Sequence, residues 1–233
     1  MSDTHALPLH VQISEMLIRD IHAGRLLDGA RLPPERSFAE TLGISVGTLR
    51  RALADLAEKG MLDRVQGSGN YVRAAPGAQS VYSFVRVELL AGGGLPTAEL
   101  LSVERLSKPA DLPAFGSSDH AHRIRRLRRL SGTPAVLEEI WLDAGYARTI
   151  TAADLKESLY LFYREALGLW ISRAEDRLGT APVPDWAPPA FGPKPGAPAL
   201  MATRVAFAQD GARAEVSRNW IDTEVAAYVA RLA

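Results

Sequence analysis

Leu32-Pro33-Pro34-Glu35-Arg36-Ser37-Phe38-Ala39-Glu40-Thr41-Leu42-Gly43-Ile44-Ser45-Val46-Gly47-Thr48-Leu49-Arg50-Arg51 is the stretch whose reading decides the fold. Pro34 suits the first turn of a short helix, because its fixed φ and missing N–H cost nothing there. That helix is expected to end near Leu42-Gly43. Ser45 then caps a further helix, with Leu49, Ala52, Leu53 and Leu56 facing inward and Gly60 closing it. Two helices joined by the tight Gly43-Ile44-Ser45 turn make a helix-turn-helix.

Upstream, Leu9, Ile13, Met16, Leu17 and Ile21 recur at three- and four-residue spacing, which gives one apolar stripe, and Gly24 stops it. Downstream, Met61–Val65 and Asn70–Arg73 are short strand candidates joined by Gln66-Gly67-Ser68-Gly69, whose glycines permit a sharp turn. That hairpin reads as a wing. Residues 74–81 (AAPGAQSV) are small and turn-forming without periodicity, so a linker is placed at 75–83, between a domain over 1–74 and a second over 84–233.

The second domain has strand periodicity. Candidates are Ala98–Ser107, His120–Leu130, Ala135–Leu142, Trp170–Thr180, Ala199–Ala208 and Ala212–Ile221, with hairpin turns at Ser131-Gly132-Thr133-Pro134 and Gln209-Asp210-Gly211. Helices are expected at Ser158–Leu167 and Glu224–Leu232. Val183–Pro198 holds six prolines, so any helix there must be short. Antiparallel strands with a few helices make this half α+β.

Lys and Arg number 27 against 27 Asp and Glu. Residues 1–75 are also balanced, nine against nine. An argument for nucleic-acid binding must therefore rest on where the arginines sit rather than on bulk charge. The absence of cysteine excludes disulfides and thiolate metal sites. His120 and His122 share a strand face but lack a third ligand, so neither metal nor cofactor is expected. The start MSDTHALPLH lacks the order of a signal peptide, and no apolar run approaches the ~20 residues of a membrane span. A soluble, cytoplasmic protein is expected.

At this point the residues point to a family. The run from Pro8 to Val72 resembles the winged helix of GntR transcription regulators. The resemblance is carried by Leu32-Pro33-Pro34-Glu35-Arg36, Leu42-Gly43-Ile44-Ser45, Thr48-Leu49-Arg50, Ala52-Leu53, Gly60 and Gly67-Ser68-Gly69. The second half resembles the UTRA effector domain of the HutC subfamily, similar in fold to chorismate lyase. There the matching motifs are Arg126-Leu127-Arg128, Gly132-Thr133-Pro134, Val136-Leu137-Glu138, Ser158-Leu159-Tyr160, and Asp210-Gly211 with Glu215 and Ser217. The resemblance implies a homodimer on a short inverted-repeat operator, acting as a repressor released by a small anionic metabolite. The rival reading is a chorismate-lyase-like enzyme acting on a small anion; a fused winged helix argues against it.

Arg36 opens helix two, while Gly47, Thr48, Arg50 and Arg51 open helix three, away from its apolar stripe. A helix N-terminus presents N–H groups to phosphate, and arginine can grip guanine bidentately. The plainer reading is that Arg50 and Arg51 merely solvate a helix face. By resemblance, Arg36 and Arg50 are the base-proximal pair, with Thr48 on phosphate and Ser45 also at the DNA, and the Gly67-Ser68-Gly69 tip enters the minor groove.

Five arginines fall between Arg123 and Arg129. Alternation puts Arg126 and Arg128 in line with Ile124 and Leu130, and Arg123, Arg125 and Arg129 on the opposite face. Inward arginines need a partner, since unpaired buried charge is costly. A ligand anion would supply one; Glu138, in line with Val136 and Ile140, asks for a donor from an arginine or a ligand hydroxyl. Ser158 can cap the helix that follows it. The resemblance also gives Ser158, Tyr160, Glu215 and Phe84 to the effector site, and it implies a helix shortened to Ala110–Ser118 before the arginine strand. Trp141, Trp170 and Trp220 read as core.

The family usually carries arginine directly after the serine that opens the recognition helix, where this chain has Val46. Val46→Arg is therefore expected to tighten DNA binding in general or to shift base preference near the half-site centre. Selection from random DNA with both proteins checks this, and identical motifs and affinities would show the position to be neutral.

Overall fold

The computed structural model describes residues 8–73, 84–155 and 158–231. The linker expected at 75–83 lies outside them. The chain divides into two units, Met1–Val85 with Ala230–Ala233, and Arg86–Val229.

In the first unit, α1 (Leu9–His22), α2 (Glu35–Leu42) and α3 (Val46–Glu58) are followed by the hairpin β1 (Leu62–Val65) and β2 (Gly69–Val72). The local chemistry is what the sequence calls for. Gly43 takes φ +66°, the left-handed conformation that lets the chain leave α2. Two residues on, the Ser45 hydroxyl accepts from the Thr48 N–H at 3.1 Å and caps α3. Leu49, Leu53 and Leu56 are fully buried, as are Ile13 and Leu17 of α1. The α1–α3 contact also carries a polar seam in which Ser14 bonds Asp55, and Lys59 bridges Glu15 at 3.1 Å and Asp55 at 2.7 Å. Gly67 at φ +75° turns the wing.

The second unit is a six-stranded, wholly antiparallel sheet in the order β4-β5-β6-β9-β8-β7. Its strands are β4 (Pro96–Ser107), β5 (His120–Leu130), β6 (Thr133–Asp143), β7 (Ile171–Pro182), β8 (Pro198–Ala208) and β9 (Arg213–Ile221). All six expected strands are present, with ends moved by two residues at most. Ser131 and Gly132 both have positive φ (+47° and +83°), which closes β5 onto β6 through a two-residue loop. One face carries the apolar clusters: Leu127, Leu137 and Trp220 pack with Val183 and Phe191, and Trp141 and Val216 pack with Leu112 and Phe115. The other face is crossed by α4 (Leu159–Leu167), which Ser158 caps at 3.3 Å to the Leu161 N–H.

Two expected helices are not formed. In place of Glu224–Leu232 there is β10 (Ala226–Tyr228), paired antiparallel with β3 (Val87–Leu89), a strand with no signal of its own in the sequence. The Asp222 side chain accepts the Glu224 N–H and its carbonyl the Ala226 N–H, which makes a single turn that runs directly into β10. Val87 and Ala226 instead bury themselves against Leu130, Val136 and Ile221. Tertiary burial outweighs helix propensity over so short a run. Between Ala110 and Ser118 the chain makes turns, with Gly116 at φ +55°. Asp143 holds this segment: its buried carboxylate accepts from Lys108 Nζ at 2.5 Å, the Ser118 N–H at 3.1 Å and the Gly145 N–H at 2.9 Å.

Removing one partner of a buried ion pair typically costs ~3–5 kcal/mol. Asp143→Ala is accordingly expected to lower the unfolding free energy measured in urea by most of that amount, and Asp143→Asn by less, because the amide oxygen still accepts from backbone. Equal stability of Asp143→Ala and the parent in urea would show that the turns hold without the carboxylate.

Candidate functional site

The DNA-facing candidates are Arg36, Ser45, Gly47, Thr48, Arg50, Arg51, Gly67, Ser68 and Gly69, and all lie in the first unit. Gly47, Arg50 and Arg51 are exposed on the first turns of α3, while Leu49 between them is buried. Thr48 Oγ1 lies 2.9 Å from Ser45 Oγ, so these two hydroxyls form one capping pair. Arg50 Nε donates to Glu35 Oε2 at 2.6 Å, a contact between α3 and α2 that the sequence did not disclose. The Arg36–Glu40 pair is looser, at 3.7 Å. A cleft of about 500 Å³ runs between the start of α2 and the wing, lined by Arg31, Pro34, Glu35, Arg64 and Gly67 to Asn70. It brings the wing tip and the α2 N-terminus onto a common surface.

In the second unit, the five-arginine run divides as strand alternation requires. Arg126 and Arg128 are 4% and 8% exposed and converge on Glu138, Arg126 Nη2 at 2.7 Å and Arg128 Nε at 2.6 Å. The other three pair with different carboxylates: Arg123 with Glu104, Arg125 with Glu139 at 2.8 Å and Arg129 with Glu99 at 3.1 Å. Burial alone would raise the Glu138 carboxyl, but the two guanidinium groups beside it outweigh that and hold it below the ordinary carboxylate range.

Glu215, on the same face, is 2% exposed and accepts from both Tyr163 at 2.7 Å and Tyr160 at 3.3 Å. Burial pushes its carboxyl up, and the two phenols are also raised, by burial and by Glu215. Tyr163 was not among the candidates, although it follows Tyr160 by one helical turn. Arg204 of β8 was missed as well. It stands between Ala202 and Ala206 on this face and bonds Asp176 with both ends of its fork at 2.6 Å. Tyr228 of β10 donates to the same Asp176 at 2.7 Å. A cation between alanines in an otherwise apolar strand was the available signal. Phe84 falls in the first unit, whereas the other effector candidates fall in the second. Trp141 and Trp220 are buried, and Trp170 is half-buried beneath Arg164. Among the described residues no cluster of three or more His, Asp or Glu is placed to hold a metal ion.

Residues 9–72 match the family described as bacterial regulatory proteins, gntR family, and residues 91–226 match the UTRA domain. The chain belongs to the GntR family. Its pairing of a GntR winged helix with a UTRA domain is the HutC-type arrangement. It is 60% identical over 227 residues, 97% of either protein, to the HTH-type transcriptional regulator SmoD of Agrobacterium fabrum. To the HTH-type transcriptional repressor NagR of Bacillus subtilis it is 27% identical over 91% of this chain and 90% of that one. The crystal structure of the possible transcriptional regulator YydK of Bacillus subtilis shares the fold, with a TM-score of 0.54 at 19% identity over 97% of this chain and 100% of that one. The protein is thus a transcription regulator and not an enzyme, which removes the lyase reading. GntR regulators bind DNA, and the UTRA domain implies a small-molecule ligand. Among the described residues no helix is long and apolar enough to cross a membrane.

The raised Glu215 carboxyl has a consequence for stability with a definite sign. A folded state that holds this proton more tightly than the unfolded chain loses stability as pH rises from the ordinary 4.5 through the higher folded value. Glu138 acts oppositely, in the acid range below. Glu215→Gln is therefore expected to melt near the parent temperature at about pH 4.5 and to gain on it progressively towards neutrality. Melting curves of both proteins across that range check it, and a constant offset would show that Glu215 does not titrate there.

Proposed function

We propose that this regulator is a ligand-responsive repressor of a catabolic or transport operon, which binds a short inverted-repeat operator as a homodimer and releases it when a small anionic metabolite enters the UTRA domain. The observation that carries this reading is the division of the arginine run. Arg126 and Arg128 lie inside the domain, on the face covered by α4, whereas their neighbours in sequence pair with carboxylates elsewhere. Guanidinium forks held at a fixed spacing suit a carboxylate or phosphate. Glu138 then orients both forks and is available to a ligand hydroxyl. Ser158 at the N-terminus of α4 adds the partial positive charge of a helix end. Tyr160 and Glu215 form the far wall.

In the first unit, Arg36 and Arg50 contact bases, Ser45, Gly47, Thr48 and Arg51 follow the adjacent phosphates, and the Gly67-Ser68-Gly69 tip enters the minor groove. A two-fold protein on a two-fold operator satisfies both half-sites with one surface. Repression by NagR, a relative over nine-tenths of its length, agrees with this sign of control. Ligand binding shifts the dimer between arrangements that do and do not match the half-site spacing.

The comparison within the arginine run tests the effector site. A thermal-shift screen against anionic metabolites first supplies the ligand, because a molecule that binds only the folded state raises its melting temperature. Arg126→Ala and Arg128→Ala are then expected to bind operator normally and to lose release by that ligand. Arg125→Ala and Arg129→Ala, on the opposite face, should respond almost as the parent does. Equal loss in all four variants would make the run a diffuse basic surface, and no loss in any would place the ligand elsewhere.

A further inference from the structure

Glu35 is an acidic residue on the surface that is to meet DNA, where a carboxylate is electrostatically unfavourable. Its contact explains its presence. We propose that Glu35 is a specificity-positioning residue: by holding the Nε of Arg50 it aims that guanidinium at the base edge and thereby sets how sharply Arg50 discriminates. The proposal rests on the reading of Arg50 as a base contact.

The geometry is specific to this arginine. Arg50 Nε donates to Glu35 Oε2 at 2.6 Å across the α2–α3 junction. A guanidinium carries five N–H donors in one rigid plane, and guanine O6 and N7 take two of them. With Nε engaged from behind, the two terminal nitrogens remain free to form the fork. The carboxylate also fixes the long side chain before DNA arrives, which lessens the rotamer freedom lost on binding. Both ends of the contact are themselves held. Glu35 follows Pro34 in the first turn of α2, and its side chain is only 29% exposed. The Arg50 carbonyl accepts from Arg64 Nη2 of β1 at 3.3 Å, which ties the start of α3 to the wing. The pair beside it lacks these features: Arg36 and Glu40 lie 3.7 Å apart with side chains 87% and 71% exposed. Glu40 therefore serves as an internal control, a carboxylate on the same helix that makes no contact with the recognition helix among the contacts seen.

Positioning and bulk charge predict opposite signs when Glu35 is removed. Loss of a negative charge near the phosphates strengthens binding to any duplex. Loss of the aiming contact weakens the preference for the right base. A merely structural role would weaken both together.

The experiment uses the full-length protein, one duplex recovered by selection from a random library, single-base-pair variants of that duplex and a shuffled duplex, all at one salt concentration. Arg50→Ala is expected to lose roughly tenfold discrimination at one base pair of each half-site. Glu35→Ala should lose several-fold at that same base pair while binding the shuffled duplex as tightly as the parent or more so. Glu35→Gln keeps an acceptor oxygen and should retain most of the discrimination; a loss as complete as with alanine counts against a positioning hydrogen bond. Glu40→Ala should leave discrimination unchanged. Adding Glu35→Ala to Arg50→Ala should change nothing further at that base pair. The proposal is overturned if Glu35→Ala keeps full discrimination, or if its effect persists without Arg50, which would make Glu35 a base reader itself. If Arg50→Ala alone leaves every base preference intact, it is the assignment of Arg50 that fails, and the positioning role falls with it. Melting temperatures of all variants identify any that are misfolded, and Glu35→Gln, the smallest change, then decides.

Discussion

Two guanidinium groups and one carboxylate meet inside the sheet of the second unit, and each of these charges would cost several kcal/mol to bury alone. Glu138 stands directly across from Arg126 in the β5–β6 ladder and also reaches Arg128. That pairing fixes more than its own three residues. A one-residue slip of β6 against β5 would turn Glu138 to the opposite face and bring Glu139 beside the arginines in its place, at a different height along the strand. The same slip would withdraw Leu137 and Trp141 from the clusters they anchor and turn them to the face that holds the arginines. Register, core and charge placement are therefore one constraint, and the positive φ of Ser131 and Gly132 at the hairpin turn agrees with it.

Much of this arrangement was legible beforehand because it follows from periodicity. The apolar stripe of α1, the Ser45 cap, the glycine turn at Gly43 and all six long strands are local signals with a single physical reading. So was the separation of Arg126 and Arg128 from Arg125 and Arg129, since alternation alone assigns the faces. What was not legible depends on contacts between distant segments. Three-residue strands such as β3 and β10 carry too little pattern to announce themselves, and Val225, Ala226 and Val229 imitate a helical face. The turns at 110–118 are held by Asp143, some thirty residues away. Arg204 and Asp176 find each other only through the β7–β8 register.

The first unit shows how little bulk charge says about a DNA-binding surface. Its acidic residues are not spread at random among the basic ones. Glu15 and Asp55 are spent on Lys59 in the seam between α1 and α3, and Asp20 is taken by Arg19 and Arg25. Asp63 is paired with Arg73 at the base of the wing. These pairs take up basic and acidic residues in equal number, so it is the placement of the remaining arginines at the starts of α2 and α3, and not the net charge, that marks this surface.

The β3–β10 ribbon brings the two ends of the second unit together. Val87 pairs with Tyr228, so the polypeptide enters and leaves the second unit side by side, through two antiparallel strands that seal against Leu130 and Ile221. A unit whose two ends emerge at one point can be transplanted as a cassette, because both chain connections fall at one place on the host. Chain lengthened or replaced before Arg86 or after Val229 would in this way leave the interior of the unit undisturbed.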